Sequence, residues 1–251
     1  MQRTGWAGFS LAAVGLGANR AVADPDPPIA AKDAGATPGI SEEPDVYRFQ
    51  LGGTDAFVVV DGVFRLPGIQ PSFAPEAKPA EVESQMKREF LSSDHITLSV
   101  NVLGLKAKSG VVLFDAGAGS AYGPVAGRLP RGLARVGVNP SDVKTIFVTH
   151  AHLDHIGGLL DDSGQLVFSS ARIVAAKTEV DFWTSDKPDL SGMRTPPETT
   201  QQAAAAIKKT LNGLKANLDL KEPGNVADEV VIIISASQAL LPGCHQLVRP
   251  S

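Results

Sequence analysis

Three of the five histidines in the chain lie within six residues, and this cluster constrains the fold more than any other feature of the sequence. The cluster contains four side chains of the kinds that bind metal ions: His150, His152, Asp154 and His155. An apolar, largely β-branched run at residues 146–149 precedes the cluster, and the pair Gly157 and Gly158 follows it. This pattern predicts a buried strand that ends abruptly and is followed by a loop carrying the cluster.

The spacing of the four side chains favours a metal site. Neutral imidazole is the commonest transition-metal ligand in proteins, and carboxylate is a frequent partner. Alternate side chains of an extended backbone point the same way, so His150 and His152 can face one point. Asp154 and His155 are adjacent and point differently, so they could serve a second metal beside the first. The alternative is a polar surface loop, in which four potential ligands would stand this close by coincidence.

The composition is that of a globular protein without a basic surface. The chain has 251 residues, of which 43% are hydrophobic and 20% charged, and this length suffices for one sizeable α/β domain. The formal net charge of -4 implies no broad basic surface, so we expect no nucleic-acid partner. The single cysteine, Cys244, excludes an intramolecular disulfide.

Residues 1–23 have the pattern of a signal peptide. Arg3 supplies a positive charge, residues 6–18 form a short apolar run, and residues 21–23 have the small-x-small form of a peptidase site. We therefore expect export, to a bacterial periplasm, with a disordered tail as the alternative. No other stretch of the sequence is long and apolar enough to be transmembrane, so no membrane association is expected after cleavage.

Composition changes again at about residue 45. Residues 24–44 are rich in Pro, Ala, Asp and Gly, and they predict a flexible linker. Residues 45–251 alternate strand and helix patterns, which predicts one layered α/β domain. The pair Asp61 and Gly62 predicts a hairpin turn in this domain. Helices are expected at 80–90, 125–136, 177–183 and 196–214, and strands at 96–105, 111–114, 171–175 and 230–235.

The arrangement His-x-His-x-Asp-His at residues 150–155 resembles the signature of the metallo-β-lactamase superfamily. That family folds as a four-layer αββα sandwich, and its members are hydrolases that usually carry one or two zinc ions. Further pieces resemble the branch of methyl parathion hydrolase and its relatives, and they extend the likeness from about Tyr47 to Trp183. These pieces are Asp115-x-Gly117, Tyr122-Gly123-Pro124, Gly127-Arg128-Leu129 and Asp181-Phe182-Trp183.

The resemblance implies a two-metal hydrolase. The positions matching His150 and His152 hold one metal, and those matching Asp154 and His155 hold the other. Zinc is the expected ion, although these ligands accept other divalent metals. A metal-bound hydroxide would attack a phosphotriester, a lactone or another ester of a small molecule, so no side-chain nucleophile is needed.

The same resemblance assigns roles to three further residues. Asp115 follows a predicted buried strand and would orient the metal-binding histidines from outside the ligand set, with a helix or turn cap as the alternative. Tyr122 and Trp183 would line an aromatic substrate pocket, with ordinary core packing as the alternative. Enzymes like methyl parathion hydrolase are dimers, which suggests a homodimer here.

The family pattern is lost toward the end of the chain. The family supplies a third histidine to the first metal from a Gly-His-Thr-Pro-Gly-His turn, whereas residues 239–244 read Ala-Leu-Leu-Pro-Gly-Cys. Leu240 takes the ligand position, and His245 lies one residue past the second histidine of the motif. We therefore expect a C-terminally incomplete sandwich, produced by a frameshift or truncation near Ala236. Two functions remain: a metal-dependent hydrolase, or a catalytically inactive fragment with a residual metal-binding motif.

Overall fold

The computed structural model describes residues 45–70, 73–74, 76–191 and 197–222. Several sequence predictions lie outside these residues: the signal peptide, the linker, the strand at 230–235, and the segment that contains Leu240, Cys244 and His245. The first strand of the described residues begins at Val46, and the predicted division into signal peptide, linker and domain remains a prediction.

A seven-stranded sheet forms the centre of the described part of the chain. Its strands are β1 (Val46–Leu51), β2 (Thr54–Pro67), β3 (His95–Ala107), β4 (Gly110–Phe114), β5 (Val143–Phe147), β6 (Arg172–Ala176) and β7 (Leu218–Lys221). They lie side by side in chain order. The pairs from β1 to β4 are antiparallel, and those from β4 to β7 are parallel. The carboxyl ends of β4, β5 and β6 therefore meet at one edge of the sheet.

Five α-helices accompany the sheet in the described residues: α1 (Pro79–Arg88), α2 (Leu129–Arg135), α3 (Leu153–Ile156), α4 (Lys177–Thr184) and α5 (Pro197–Leu214). The helix predicted at 125–136 begins only at Leu129, because Pro130 has no backbone N–H and fits the first turn of a helix. None of the helices in the described part of the chain is long and apolar enough to cross a membrane.

The main apolar core lies on the sheet face that carries the helices. Phe57, Leu113 and Ile146 of the sheet belong to one buried cluster with Leu133 of α2 and Ile207 of α5. A smaller cluster is formed by residues that alternate with these along the strands: Ala56, Leu105, Val112, Phe147, Val174 and Ala176. Strands buried on both faces are typical of parallel sheet, and this mixed α/β architecture confirms the predicted fold class.

The predicted hairpin at Asp61 and Gly62 is wrong. Strand β2 continues through both residues to Pro67, and its register against β3 shifts between Val60 and Gly62, which is a β-bulge. The carboxylate of Asp61 is fully buried and accepts hydrogen bonds from the N–H groups of Ala118 at 2.8 Å, Gly127 at 3.2 Å and Leu129 at 2.7 Å. Asp61 therefore anchors the segment between β4 and α2 to the strand that precedes both of them in the chain.

Candidate functional site

The histidine cluster lies at the edge of the sheet where β4, β5 and β6 end. Strand β5 ends at Phe147, and the backbone at His152 is still extended, with φ of -68° and ψ of 152°. The one-turn helix α3 begins immediately afterwards, where the sequence predicts a loop. Asp154 and His155 thus lie in a helical turn, whereas His150 and His152 lie in the connection that leads to it.

The structure brings the four predicted ligands together. The Nε2 atom of His150 lies 3.1 Å from Nδ1 of His152, and the rings of His150 and His155 are 3.9 Å apart between centroids. The Nε2 atom of His155 lies 3.3 Å from Oδ2 of Asp154. Three imidazoles and one carboxylate therefore lie next to one another, and the assignment of His150 with His152 to one metal and of Asp154 with His155 to a second remains a prediction.

Asp115 contacts His155 directly. It follows β4 with φ of 65°, in the left-handed region that costs a residue other than glycine roughly 1–2 kcal/mol. Its carboxylate accepts three hydrogen bonds: from the backbone N–H of Thr149 at 2.8 Å, from the hydroxyl of Thr149 at 2.8 Å, and from Nδ1 of His155 at 2.7 Å. This network fixes the orientation of one of the three histidines, and the predicted supporting role of Asp115 remains a prediction.

Two of the histidines are held neutral. Burial lowers the pKa of His150 to about 4, and the positive charge of His155 acts in the same direction. Burial likewise lowers the pKa of His152 to about 3, and positive charge on His150 and on His155 acts in the same direction. Both imidazoles are therefore neutral near pH 7, the form in which a ring nitrogen can donate its lone pair to a metal ion.

His155 has the opposite shift. Burial alone would lower its pKa, but hydrogen bonds to Asp115 and Asp154 and the charges of these two carboxylates raise it to about 10. Burial alone would raise the pKa of Asp154, whereas its hydrogen bond with His155 and the charge of that ring lower it. In the absence of a metal ion, the site therefore holds one imidazolium between two carboxylates.

Two atoms of the cluster fit a cation. Nε2 of His152 and Oδ1 of Asp154 are buried and have no hydrogen-bond partner among the described residues. A buried polar atom without a partner costs free energy, and coordination to a cation would remove that cost at either atom. Among the same residues, however, no three His, Cys, Asp or Glu side chains are placed to hold one ion together. The donor chemistry fits a metal, and the ligand role of the four residues remains a prediction.

Glu179, which the sequence analysis did not single out, lies behind the histidines. It belongs to α4, is 4% exposed, and its Oε1 accepts hydrogen bonds from Ala151 N–H at 2.9 Å and from the indole of Trp183 at 3.0 Å. Burial raises the pKa of Glu179, and these two hydrogen bonds oppose the shift. No sequence signal marks this residue, because a glutamate in a short helix is normally solvated.

The two residues expected to line a substrate pocket differ in exposure. Trp183 is fully buried, and its ring meets that of His152 edge to face at 5.9 Å between centroids, which is the core-packing arrangement. Tyr122 is 39% exposed and packs edge to face on Phe64 at 4.9 Å. Burial, helped by the charge of Asp154, raises the pKa of Tyr122 to about 12, so its hydroxyl is protonated at neutral pH. The pocket role of both residues remains a prediction.

A cavity of about 370 Å³ opens next to this edge of the sheet. Its lining includes Gly119 and Ser120 from the segment after β4, Gly158 from the turn after α3, and Phe168. None of the three clustered histidines lines it. The cavity is therefore adjacent to the candidate metal site and distinct from it.

Comparisons with known proteins agree with this fold. Residues 96–162, which run from β3 through the histidine cluster, match the family model of the metallo-β-lactamase superfamily. No curated protein sequence matches the chain. The chain is similar to the solved structure of AidC, a dizinc quorum-quenching lactonase in complex with a product N-hexnoyl-L-homoserine. The two are 29% identical with a TM-score of 0.71 over 75% of this chain and 65% of AidC.

Two further solved structures resemble the chain at lower identity. The hydrolase AbOPH of the β-lactamase superfamily is 22% identical, with a TM-score of 0.63 over 72% of this chain and 62% of that one. A probable metal-dependent hydrolase from Staphylococcus aureus is 18% identical, with a TM-score of 0.54 over 70% of this chain and 61% of that one. The chain thus has the metallo-β-lactamase fold, and its match spans less than two thirds of each of these structures.

Proposed function

We propose that the chain is a metal-dependent hydrolase of small-molecule esters. One observation carries the proposal: three imidazoles and a carboxylate converge at the end of β5, and two of their buried atoms have no hydrogen-bond partner among the described residues. The similarity to a dizinc lactonase at 29% identity supports this proposal and favours zinc and a lactone substrate. The sequence pieces shared with methyl parathion hydrolase favour a phosphotriester as the other substrate class to test.

His150, His152, Asp154 and His155 are the residues that would hold the metal. A divalent cation there would act as a Lewis acid and lower the pKa of water, so that no side-chain nucleophile is required. The neutral imidazoles of His150 and His152 have lone pairs available to bind the cation. Asp115, together with Thr149, holds the ring of His155 in one orientation. The protonated hydroxyl of Tyr122 can donate a hydrogen bond to a substrate oxygen.

We also propose export of the protein and its association as a homodimer. Export is supported by the charge, the apolar run and the small residues within positions 1–23. The homodimer rests only on the resemblance to enzymes like methyl parathion hydrolase.

A second candidate is a metal-binding protein without hydrolase activity. One observation favours it: no three ligand side chains in the described part of the chain are placed to hold one ion together. Under this proposal the cluster binds a metal weakly and does not complete a catalytic site.

Metal content and hydrolysis, measured together on the purified full chain, separate the two candidates. We expect up to two zinc ions per chain by elemental analysis, and turnover of a chromogenic phosphotriester or of a lactone. His152→Ala should lose both metal and turnover. His95→Ala is the matched control, because this histidine begins β3, contacts Arg65 and stands apart from the cluster. Metal without turnover would favour the second candidate, and a folded chain without metal would refute both.

A further inference from the structure

We infer that Glu179 is a positioning residue that fixes the backbone between His150 and His152, so that both imidazoles are presented to one metal ion. The inference rests on the proposed function and adds a residue outside the ligand set. Glu179 comes from α4, the helix that follows β6, and it is separated from Ala151 by 28 positions in the sequence. It is one of only five polar or charged residues that are buried in the described part of the chain.

The key contact is the hydrogen bond from Ala151. This residue lies after β5 has ended and before α3 begins, so neither a strand ladder nor a helix supplies an acceptor for its N–H. Oε1 of Glu179 accepts it at 2.9 Å, and Ala151 itself is 1% exposed. The carboxylate therefore supplies a hydrogen-bond partner that the backbone of the connection lacks.

The same oxygen also supports the ring of His152. It accepts the indole N–H of Trp183 at 3.0 Å, and the ring of Trp183 packs edge to face on His152. Oε1 of Glu179 thus binds both the peptide N–H of Ala151, which lies between the two histidines, and the indole of Trp183, which packs against His152. Burying a carboxyl group costs free energy. Its presence here is explained if the N–H of Ala151 and the indole N–H of Trp183 both have to be held in place.

The consequence for a metal is geometric. The side chains of His150 and His152 leave the backbone on either side of Ala151, and Nε2 of His150 lies 3.1 Å from Nδ1 of His152. Without the acceptor, the peptide can rotate toward solvent to satisfy its N–H, and the two rings no longer share one direction. Residues that orient metal ligands in this indirect way change metal affinity by about 10–100-fold when they are replaced.

Three variants of the full chain test this role. Glu179→Met removes the acceptor and keeps the volume of the side chain. Glu179→Gln keeps an acceptor oxygen. Asp181→Asn is the matched control, because Asp181 belongs to the same helix but is exposed and paired with Lys177. Two quantities are measured: zinc affinity by competition with a chromophoric chelator, and hydrogen exchange of the Ala151 amide in the metal-free protein.

We expect Glu179→Met to bind zinc at least about tenfold more weakly and to lose protection of the Ala151 amide. Glu179→Gln should stay within about threefold of the wild type, and Asp181→Asn should not differ from it. A folded Glu179→Met variant with unchanged zinc affinity and unchanged Ala151 exchange would overturn the inference.

Two further outcomes are decisive. If the methionine variant does not fold, the glutamine variant carries the test, because a large loss of zinc affinity with the acceptor oxygen retained would show that charge and not backbone anchoring matters. A wild type that binds no zinc refutes the proposed function. In that case the Ala151 exchange and the imidazole NMR shifts of His150 and His152 decide the positioning role alone: both must change in Glu179→Met, or the role is refuted too.

Discussion

His155 is the residue whose charge depends most on its surroundings. Its two ring nitrogens face carboxylates, at 2.7 Å from Asp115 and 3.3 Å from Asp154, and in the metal-free protein it is an imidazolium at neutral pH. A ligand to a metal must be deprotonated at the coordinating nitrogen. Metal binding at this residue is therefore a competition with a proton that both carboxylates stabilise.

The stability of the metal-free protein should depend on pH through this residue. The folded-state pKa of His155, about 10, exceeds its ordinary value of 6.5, so its stabilising contribution is fully present below pH 6.5 and is lost as the pH rises through 10. We expect the difference in unfolding free energy between the wild type and His155→Gln to shrink over this interval by up to about 1.4 kcal/mol per pH unit. Urea denaturation in the presence of a chelator measures it, and a difference that does not change with pH would contradict the assignment.

The residues of the site were only partly predictable from the sequence. The motif identified which side chains gather, because histidines at this spacing after an apolar strand have few other uses. It could not identify Glu179 or the double role of Thr149 toward Asp115, since these contacts join segments far apart in the chain. Asp61 was assigned to a turn because Asp-Gly has that local preference, which three backbone hydrogen bonds override.

The helices and strands show where local pattern suffices. Strands β4 and β6 and helix α4 were predicted to within one residue at each end, because a run of apolar residues or a helical spacing extends over most of their length. Strand β5 was predicted at 146–149 and lies at Val143–Phe147, because Lys144 and Thr145 interrupt its apolar run. Strand β7 was missed although its sequence, Leu-Asp-Leu-Lys, alternates apolar and charged residues, because an alternation over only four residues is a weak signal. Helix α3 was missed for the same reason, since a single turn has no period.

The turn after α3 packs backbone against backbone on the segment after β4. A Cβ atom on Gly158 would lie 2.1 Å from the carbonyl oxygen of Ala116, and one on Gly157 would lie 2.2 Å from that of Ala118. The N–H of Gly158 donates to the carbonyl of Gly117 at 3.1 Å. The two segments that carry His155 and Asp115 are therefore held at a distance that only glycine permits.

Gly158→Ala should separate these two segments. We expect a loss of roughly 1–3 kcal/mol in the free energy of unfolding and a weaker affinity for zinc, because the contact between Asp115 and His155 lengthens. Gly53→Ala is the control, since no atom lies within 4 Å of its added Cβ. Chemical denaturation and zinc titration of both variants measure the effect, and equal behaviour of the two would show that the close approach is dispensable.

Protection within the whole sheet should be graded from its centre to β1. Residues 143, 146 and 147 of β5 are buried, whereas five of the six residues of β1 are exposed, including Tyr47, Phe49 and Leu51. Amides in elements with few buried contacts open at low free energy. Hydrogen exchange followed by NMR should therefore show the slowest amides in β4 to β6 and the fastest strand amides in β1. Amide protection in β1 as strong as that in β5 would contradict this prediction and would indicate that other residues or a second molecule pack on β1.

The order of the strands has a consequence for synthesis on the ribosome. Each strand from β2 to β7 pairs with the one immediately before it in the chain, so each of them meets a partner that has already been translated. Domains grow from the N-terminus as the chain emerges, and unpaired edges in that period are sites of aggregation. Within the described strands, the edge that receives the next strand belongs at each stage to the most recently added one, and the segment with the histidines emerges when β1 to β5 can already be paired.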